Sequence, residues 1–402
     1  MEDWKEYRLG EMIQCNPQVK LEKGKSYNLI DIDSIEIGSR YVKGKELTVY
    51  DGQSGCHFQN GDTVMARITP CLENGKIAQV QCESQKGFGS TELFVFRGTE
   101  NKTDSDYVFN LMSMQFIRNL AANSMTGASG RQRADLGFIK RIKWNFPPLR
   151  TQQKIASILS AYDNLIQNYK KQIEALQTAA SELYKEWFVR FRFPGYKNSR
   201  FENGIPEGWK IERIGNIGEV IGGGTPSTEN EEYWDGDIPW LSPVDLSDNT
   251  NVYVSRGGKN ITKLGLQKSS AKMMPKDTVL LSSRAPVGYV ALAKNPICTN
   301  QGFKSVVCNT SVIQPIYLYF YFRMNKNYLQ SIASGATFPE LSGSMMKKLK
   351  VLLPQMELQK EFSKKANIFI SKAELLSEQI TNLTQQRDLL LPRLMRGALE
   401  VH

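Results

Sequence analysis

Histidine is almost missing from this chain, with only His57 and His402 among 402 residues. That leaves little imidazole for general acid–base chemistry, and neither histidine lies in a recognisable triad setting. The six cysteines, Cys15, Cys56, Cys71, Cys82, Cys298 and Cys308, have no CxxC spacing. They read as reduced thiols, and so few histidines leave no reasonable zinc ligand set. Cys56-His57 is an adjacent pair without a partner pair at ligand spacing. Phosphate loops are missing as well: there is no GxxxxGK[ST]. Gly222-Gly223-Gly224-Thr225-Pro226 follows a strand-like Glu219-Val220-Ile221 but lacks the GxGxxG spacing, and reads as a flexible turn. Phe146-Pro147-Pro148-Leu149 has two prolines but no amide or carboxylate before them, so the adenine-methyltransferase motif is absent. No Pro-Asp…Asp/Glu-x-Lys nuclease constellation is present. The longest apolar run, Ile316 to Phe322, is far short of the ~20 residues of a membrane span. The N-terminus has no apolar core like that of a signal peptide. These absences predict a cytoplasmic, non-catalytic chain that holds no metal and no cofactor.

What is present begins with charge. The net charge is +10 and the pI about 9.1, which fits a polyanionic partner. From Arg131 to Lys154 seven basic residues stand against the single acid Asp135. From Lys347 to Lys365 six lysines stand against Glu357 and Glu361. Such runs are often only solvated faces, but these two occupy matching places in the chain.

They match because the chain repeats. Trp4-Lys5-Glu6-Tyr7-Arg8-Leu9-Gly10 returns as Trp209-Lys210-Ile211-Glu212-Arg213-Ile214-Gly215, a shift of 205. Asp62-Thr63-Val64 returns as Asp277-Thr278-Val279, a shift of 215. Pro148, Gln153 and Lys154 return as Pro354, Gln359 and Lys360, a shift of 206, and Ile173, Leu176 and Leu183 return 207 residues on.

Each copy has two parts. Residues 1–150 and 196–355 read as strands with a helix packed on them, an α+β pattern. Strands are expected over 61–68, 91–97, 278–282 and 305–308, and helices over 105–123 and 314–332. The parts that follow, 151–195 and 356–402, carry heptad seams. The first runs through Ile155, Ile158, Tyr162, Leu165, Tyr169, Ile173 and Leu176; the second through Phe362, Ala366, Phe369, Ala373, Leu376, Ile380 and Leu383. The expected fold is two similar globular domains separated by two long helices forming an antiparallel coiled coil. Pro147-Pro148 precedes the first helix and Phe193-Pro194-Gly195 stops it; Pro354 precedes the second, and Leu391-Pro392 kinks or ends it. Arg387 falls in the second seam, where a polar residue can fix register.

The order and duplication of these landmarks resemble the DNA-specificity subunits of type I restriction–modification systems. The resemblance rests on Trp209 to Gly215 with Gly223-Gly224-Thr225-Pro226-Ser227, and on Trp234 with Ile238-Pro239-Trp240-Leu241. It continues in Pro286-Val287-Gly288, Asn300-Gln301-Gly302, and the Pro147-Pro148-Leu149 and Leu353-Pro354 closures. In the first copy, Cys15-Asn16-Pro17 stands where the second has its glycine loop, so the two halves should read DNA differently. The resemblance implies two target-recognition domains, each reading half of a bipartite double-stranded DNA site. The helices would set the gap and dock two methylation subunits, which hold S-adenosylmethionine; restriction (motor) subunits join for cleavage. The competing reading is a stand-alone regulatory or architectural protein with two DNA readers.

Base readers are sought among donor side chains on loops. The candidates are Arg67, Thr69, Ser90, Thr91, Arg131 and Arg133 in the first domain. In the second they are Ser283, Arg284, Asn300, Gln301, Lys304 and Thr337. Trp187, Phe188 and Phe191 are candidates for partner docking, provided they are exposed.

Overall fold

The structure, a computed structural model, describes residues 4–127, 132–247, 249, 251–333 and 340–401. They form two compact units: Met1–Asn168 with Ile380–His402, and Tyr169–Gln379. The division is not the one the repeat suggests. Each long helix belongs to both units, so each globular domain is completed by the start of its own helix and the end of the other.

In the first unit a five-stranded sheet runs Ile13–Cys15, Leu93–Gly98, Thr63–Ala66, Ile77–Val80, Tyr41–Val42. All neighbours are antiparallel except the last pair, which is parallel. In the second unit the sheet runs Gly218–Gly222, Lys304–Cys308, Val279–Leu281, Val290–Ala293, Tyr253–Val254, again antiparallel up to a parallel last pair. Thr63–Ala66 and Val279–Leu281 are fully buried on both faces, which is why neither shows simple alternation. A second small ladder repeats too: Lys5–Arg8 pairs with Lys143–Phe146, and Lys210–Arg213 with Lys350–Leu353.

Hydrogen bonds correct the letter matches. Gly61 N–H donates to the carbonyl of Val80 and Asp277 N–H to that of Ala293, both residues having positive φ. Asp62 is therefore equivalent to Thr278, a shift of 216, and the repeated Asp-Thr-Val is one residue out of register. Likewise the structural equivalent of Gln359 is Gln152, not Gln153. Gln152 is fully buried; its Oε1 accepts the Asp104 N–H (3.1 Å) and its Nε2 donates to the carbonyl of Pro147 (2.9 Å). Gln359 does the same with the Gln314 N–H (3.0 Å) and the carbonyl of Pro354 (2.8 Å). Each amide joins the start of a long helix to the start of the helix packed on the sheet.

The expected 105–123 helix is two, Ser105–Ser113 and Gln115–Asn123, broken at Met114, whose ψ of 132° is extended. The 314–332 helix breaks at the comparable place into Pro315–Met324 and Lys326–Ile332. The break re-aims the second segment so that Ile117 and Leu329 reach their cores. Gly10 and Gly215 repeat a close approach: a Cβ on either would meet the Cβ of Lys140 at 3.0 Å or of Lys347 at 3.2 Å.

The first spacer helix spans Leu149–Tyr184 and continues as a π-helical turn, Lys185–Val189. The second spans Met356–Met395; it runs through Pro392 for three further residues rather than ending there. Inside each unit the two helices are antiparallel. In the first, Ile155, Ala156 and Leu159 share a core with Leu394 and Met395. In the second, Phe362 packs against Tyr184 and Trp187 at ring distances of 5.8 and 6.1 Å, and against Phe188 at 5.0 Å. Burial of each such ring stabilises the pairing by about 1.5–3 kcal/mol.

Candidate nucleic-acid interface

Two turns at one end of each sheet gather the donor side chains. The first turn follows Thr63–Ala66 in one domain and Val279–Leu281 in the other. The second precedes Leu93–Gly98 or Lys304–Cys308. Arg67 N–H donates to the Glu92 carbonyl (2.9 Å), as Ser283 N–H does to the Gly302 carbonyl (2.7 Å). Leu93 N–H donates to Ser90 and Phe303 N–H to Asn300, each at 3.3 Å. Ser90 and Thr91 are therefore equivalent to Asn300 and Gln301. Ile68 bridges to Arg133 where Arg284 bridges to Glu340. Residues chosen separately in the two copies thus occupy the same backbone positions.

Their chemistry differs. Arg67 lies over the Phe94 ring at 4.9 Å, and its Nε is buried without a hydrogen-bond partner, as is Oγ1 of Thr69. Arg67 lines a concavity with Asn16, Gln18, Lys20, His57 and Thr91. In the second domain Arg284, Asn300 and Gln301 line a concavity that opens instead toward Pro243, Val244 and Ser247. The glycine loop accounts for the change. A Cβ on Gly223 would stand 2.0 Å from the Asn300 carbonyl oxygen, and one on Gly224 2.3 Å from the backbone of Ser270. These glycines pack backbone against backbone rather than forming a flexible turn, and the Thr225 hydroxyl beyond them donates to Oε1 of Gln301.

The cations are not all free. Arg133 pairs with Glu92 at 2.5 Å, and this guanidinium holds the Glu92 carboxyl below its ordinary value. Arg284 and Lys304 share Glu340, at 3.1 and 3.4 Å. Polarity is therefore reversed between the copies at one position, Arg133 against Glu340. Glu92 and Glu340 are acceptors and not donors, yet a carboxylate reads cytosine N4 as well as it steers an arginine. For Glu92 the signal in sequence was adjacency to Thr91; Glu340 carried no such signal.

Several expectations fail. Ser283 is completely buried and donates to the Gly302 carbonyl (3.1 Å), so it holds the turn and is not presented to a ligand. Trp187 and Phe188 are 6% and 5% exposed inside the second core, and Phe191 packs edge-on to Phe201 and Trp209. They fasten the first helix to the second domain and form no exposed docking patch. Arg131 and Thr337 lie outside the described residues. Part of the basic run is structural: Lys140 and Arg141 close the last turn of Leu136–Arg141, as Lys347 and Lys348 close Gly343–Lys348, where cations complement the helix dipole. His57 uses both ring nitrogens, toward the Val19 carbonyl (3.0 Å) and the Tyr50 hydroxyl (3.2 Å). Among the described residues no three His, Cys, Asp or Glu side chains gather, and no helix is long and apolar enough to cross a membrane.

The family described as "Type I restriction modification DNA specificity domain" matches residues 1–178 and again 206–385. The chain belongs to this family. The type I restriction enzyme MjaIX specificity subunit of Methanocaldococcus jannaschii is 44% identical over 179 residues, 44% of this chain and 41% of that one. The HindI specificity subunit of Haemophilus influenzae is 25% identical over 99% of this chain and 100% of its own length. The crystal structure of a type I restriction–modification S subunit from M. genitalium shares the fold, with a TM-score of 0.58 at 15% identity, covering 97% of this chain and 96% of that one. This protein is therefore a DNA-specificity subunit with two copies of the recognition domain. It is non-catalytic, and the two-domain, helix-spaced fold read from the repeat is the family's own.

Proposed function

We propose that the first domain reads one half of a bipartite duplex site through Arg67, Thr69, Ser90, Thr91 and Arg133. The second domain reads the other half through Arg284, Asn300, Gln301 and Lys304. The observation that carries this is the equivalence of the two turns, Ser90-Thr91 with Asn300-Gln301 and Ile68 with Arg284. Nonequivalent side chains on equivalent backbone are what two different half-sites require. Arg67 lines the concavity beside Thr91, and its terminal guanidinium nitrogens are the donors a base edge would meet there.

The spacer helices set the gap and, with the adjoining domain faces, dock two methylation subunits. S-adenosylmethionine binds on those subunits and not on this chain, and restriction (motor) subunits complete the assembly, in the cytoplasm. Selection from a random duplex library by the full chain with its methylation subunits tests the reading, and two half-sites separated by a fixed gap are expected. Lengthening both helices by one heptad, ~10 Å, should move the gap by about three base pairs and leave both half-sites unchanged. Altered half-sites in that variant would sink the model.

A further inference from the structure

One buried polar network in the first unit is replaced, at the equivalent described positions of the second, by apolar residues. Asp163, on the first spacer helix, accepts from Nη1 of Arg387 on the second (2.7 Å) and from Nη1 of Arg40 (3.1 Å). Arg40 in turn donates to Oε1 of Gln79 (3.1 Å) and pairs with Asp106 (2.9 Å), and Gln79 donates to Asp106 (2.7 Å). Arg40, Gln79 and Asp163 are 3–4% exposed.

The hydrogen-bond register names each equivalent. Arg40 and Val252 both offer their carbonyl to the neighbouring strand, to Gln79 and to Leu292. Asp106 corresponds to Ile316, two residues after the amides held by Gln152 and Gln359. Counting along the helices from those glutamines, Asp163 corresponds to Ile370 and Arg387 to Ala180. All five counterparts, Val252, Leu292, Ile316, Ile370 and Ala180, are buried in the second core. At these matched positions one end of the helix pair is held by buried charge and the other by apolar side chains. In the second unit Lys294 also pairs with Glu374 and Glu378 of the second helix (3.5 Å each), but at a half-exposed edge.

The two seats respond differently to sliding. If the helices slip by a heptad, Ile173 or Trp187 replaces Ala180, and the second seat stays apolar. In the first seat Ile380 or Leu394 then faces Asp163, and a buried carboxylate loses one of its two arginines. Apolar seams are degenerate in register, whereas a buried polar pair is not. We infer that Asp163, Arg387 and Arg40 are positioning residues that fix the register of the spacer helices and so restrict this subunit to one gap length. The inference rests on the proposed reading of a bipartite site.

The test is the gap distribution among duplexes selected by the full chain with its methylation subunits. Wild type should give one gap, and Arg387→Lys, which keeps the charge, should keep it. Arg387→Met should retain both half-sites while discrimination against gaps about three base pairs away falls by about tenfold or more. A second variant copies the apolar seat: Arg40→Val, Gln79→Leu, Asp106→Ile, Asp163→Ile and Arg387→Ala. It should fold, as judged by circular dichroism and a cooperative melt, and show the same broadened gap. If it fails to fold, or folds and keeps a single sharp gap, the assignment is overturned. If wild type selects no two-part site, the proposed function fails first and on its own.

Discussion

The two domains differ most where their backbones agree best. Both place a one-turn helix after the strand that leads to the reading end, where Ile30 and Leu241 accept from the amides of Ser90 and Asn300, and both cap it with a carboxylate and a hydroxyl three residues apart. In the first domain Asp31 accepts from the Ser34 amide (2.9 Å) and hydroxyl (2.7 Å). In the second the residues have changed places: Asp245 accepts from the Ser242 amide (2.6 Å) and hydroxyl (2.8 Å). The same exchange of chemistry on a retained frame recurs at Arg133 and Glu340, and at the ionic and apolar helix seats. Duplication preserved where backbone groups must meet and left free which side chains satisfy them. An interior can be held by paired charge or by packing at similar net stability.

The strongest way to break this comparison is to give each seat one residue of the other. Asp163→Ile leaves Arg40 and Arg387 without their shared anion, and Ile370→Asp buries a carboxylate beside Val252 and Ala180. Each should cost about 3–5 kcal/mol in a denaturant titration of the full chain. A loss below 1 kcal/mol in either would show that its seat is not tightly packed. Next come the buried glutamines. Gln152→Ala and Gln359→Ala each strand a backbone amide and should cost about 1–3 kcal/mol, alike within error. Unequal losses would mean that the two helix starts are not equivalent joints.

The reading turns should separate binding from stability. Gln301→Ala should leave the melting temperature unchanged, whereas Arg67→Ala also loses the contact over Phe94 and should cost about 0.5–1 kcal/mol. Each should relax one base position by about 1–3 kcal/mol, in opposite half-sites. Relaxation in the same half-site would contradict one reader per domain. The smallest effect concerns Asp31. Partial burial alone would raise its carboxyl, but Lys45 and the Ser34 hydroxyl and amide lower it to about 2 from an ordinary 3.8. A folded pKa below the unfolded one contributes stability that is present above about pH 4 and lost as pH falls toward 2. The side chain is a third exposed, so Asp31→Asn should cost only about 1 kcal/mol at pH 6, and this difference should vanish near pH 2.

Much of the architecture was legible because periodicity survives divergence. The heptad seams marked both long helices, and Arg387 stood out as a charge among apolar neighbours. Matching letters were less faithful than matching hydrogen bonds. Asp62-Thr63-Val64 and Gln153 each aligned one residue away from their structural partners, because short identities recur by chance while strand register and a buried amide do not slide. Met114 and Asn325 broke helices that composition would have continued, since the turn there serves tertiary packing. Ser283, Trp187 and Phe188 were misread for one reason: a hydroxyl or ring in sequence carries no sign of which side faces water. Glu92 and Glu340 were missed because acids were not sought in a polyanion's reader.

The uneven seats bear on how such a subunit could be rebuilt with new specificity. Replacing residues 196–355 with a foreign domain demands a helix-start amide for Gln359 and apolar side chains against Ala180, Trp187, Phe188 and Ile370, but no buried charge. Replacing residues 1–148 removes Arg40, Gln79 and Asp106 while Asp163 and Arg387 stay behind on the helices. A graft at the first position must therefore bring its own arginine to the carboxylate or carry the helix residues with it. The second half of this chain is the interchangeable cassette; the first is keyed to its socket.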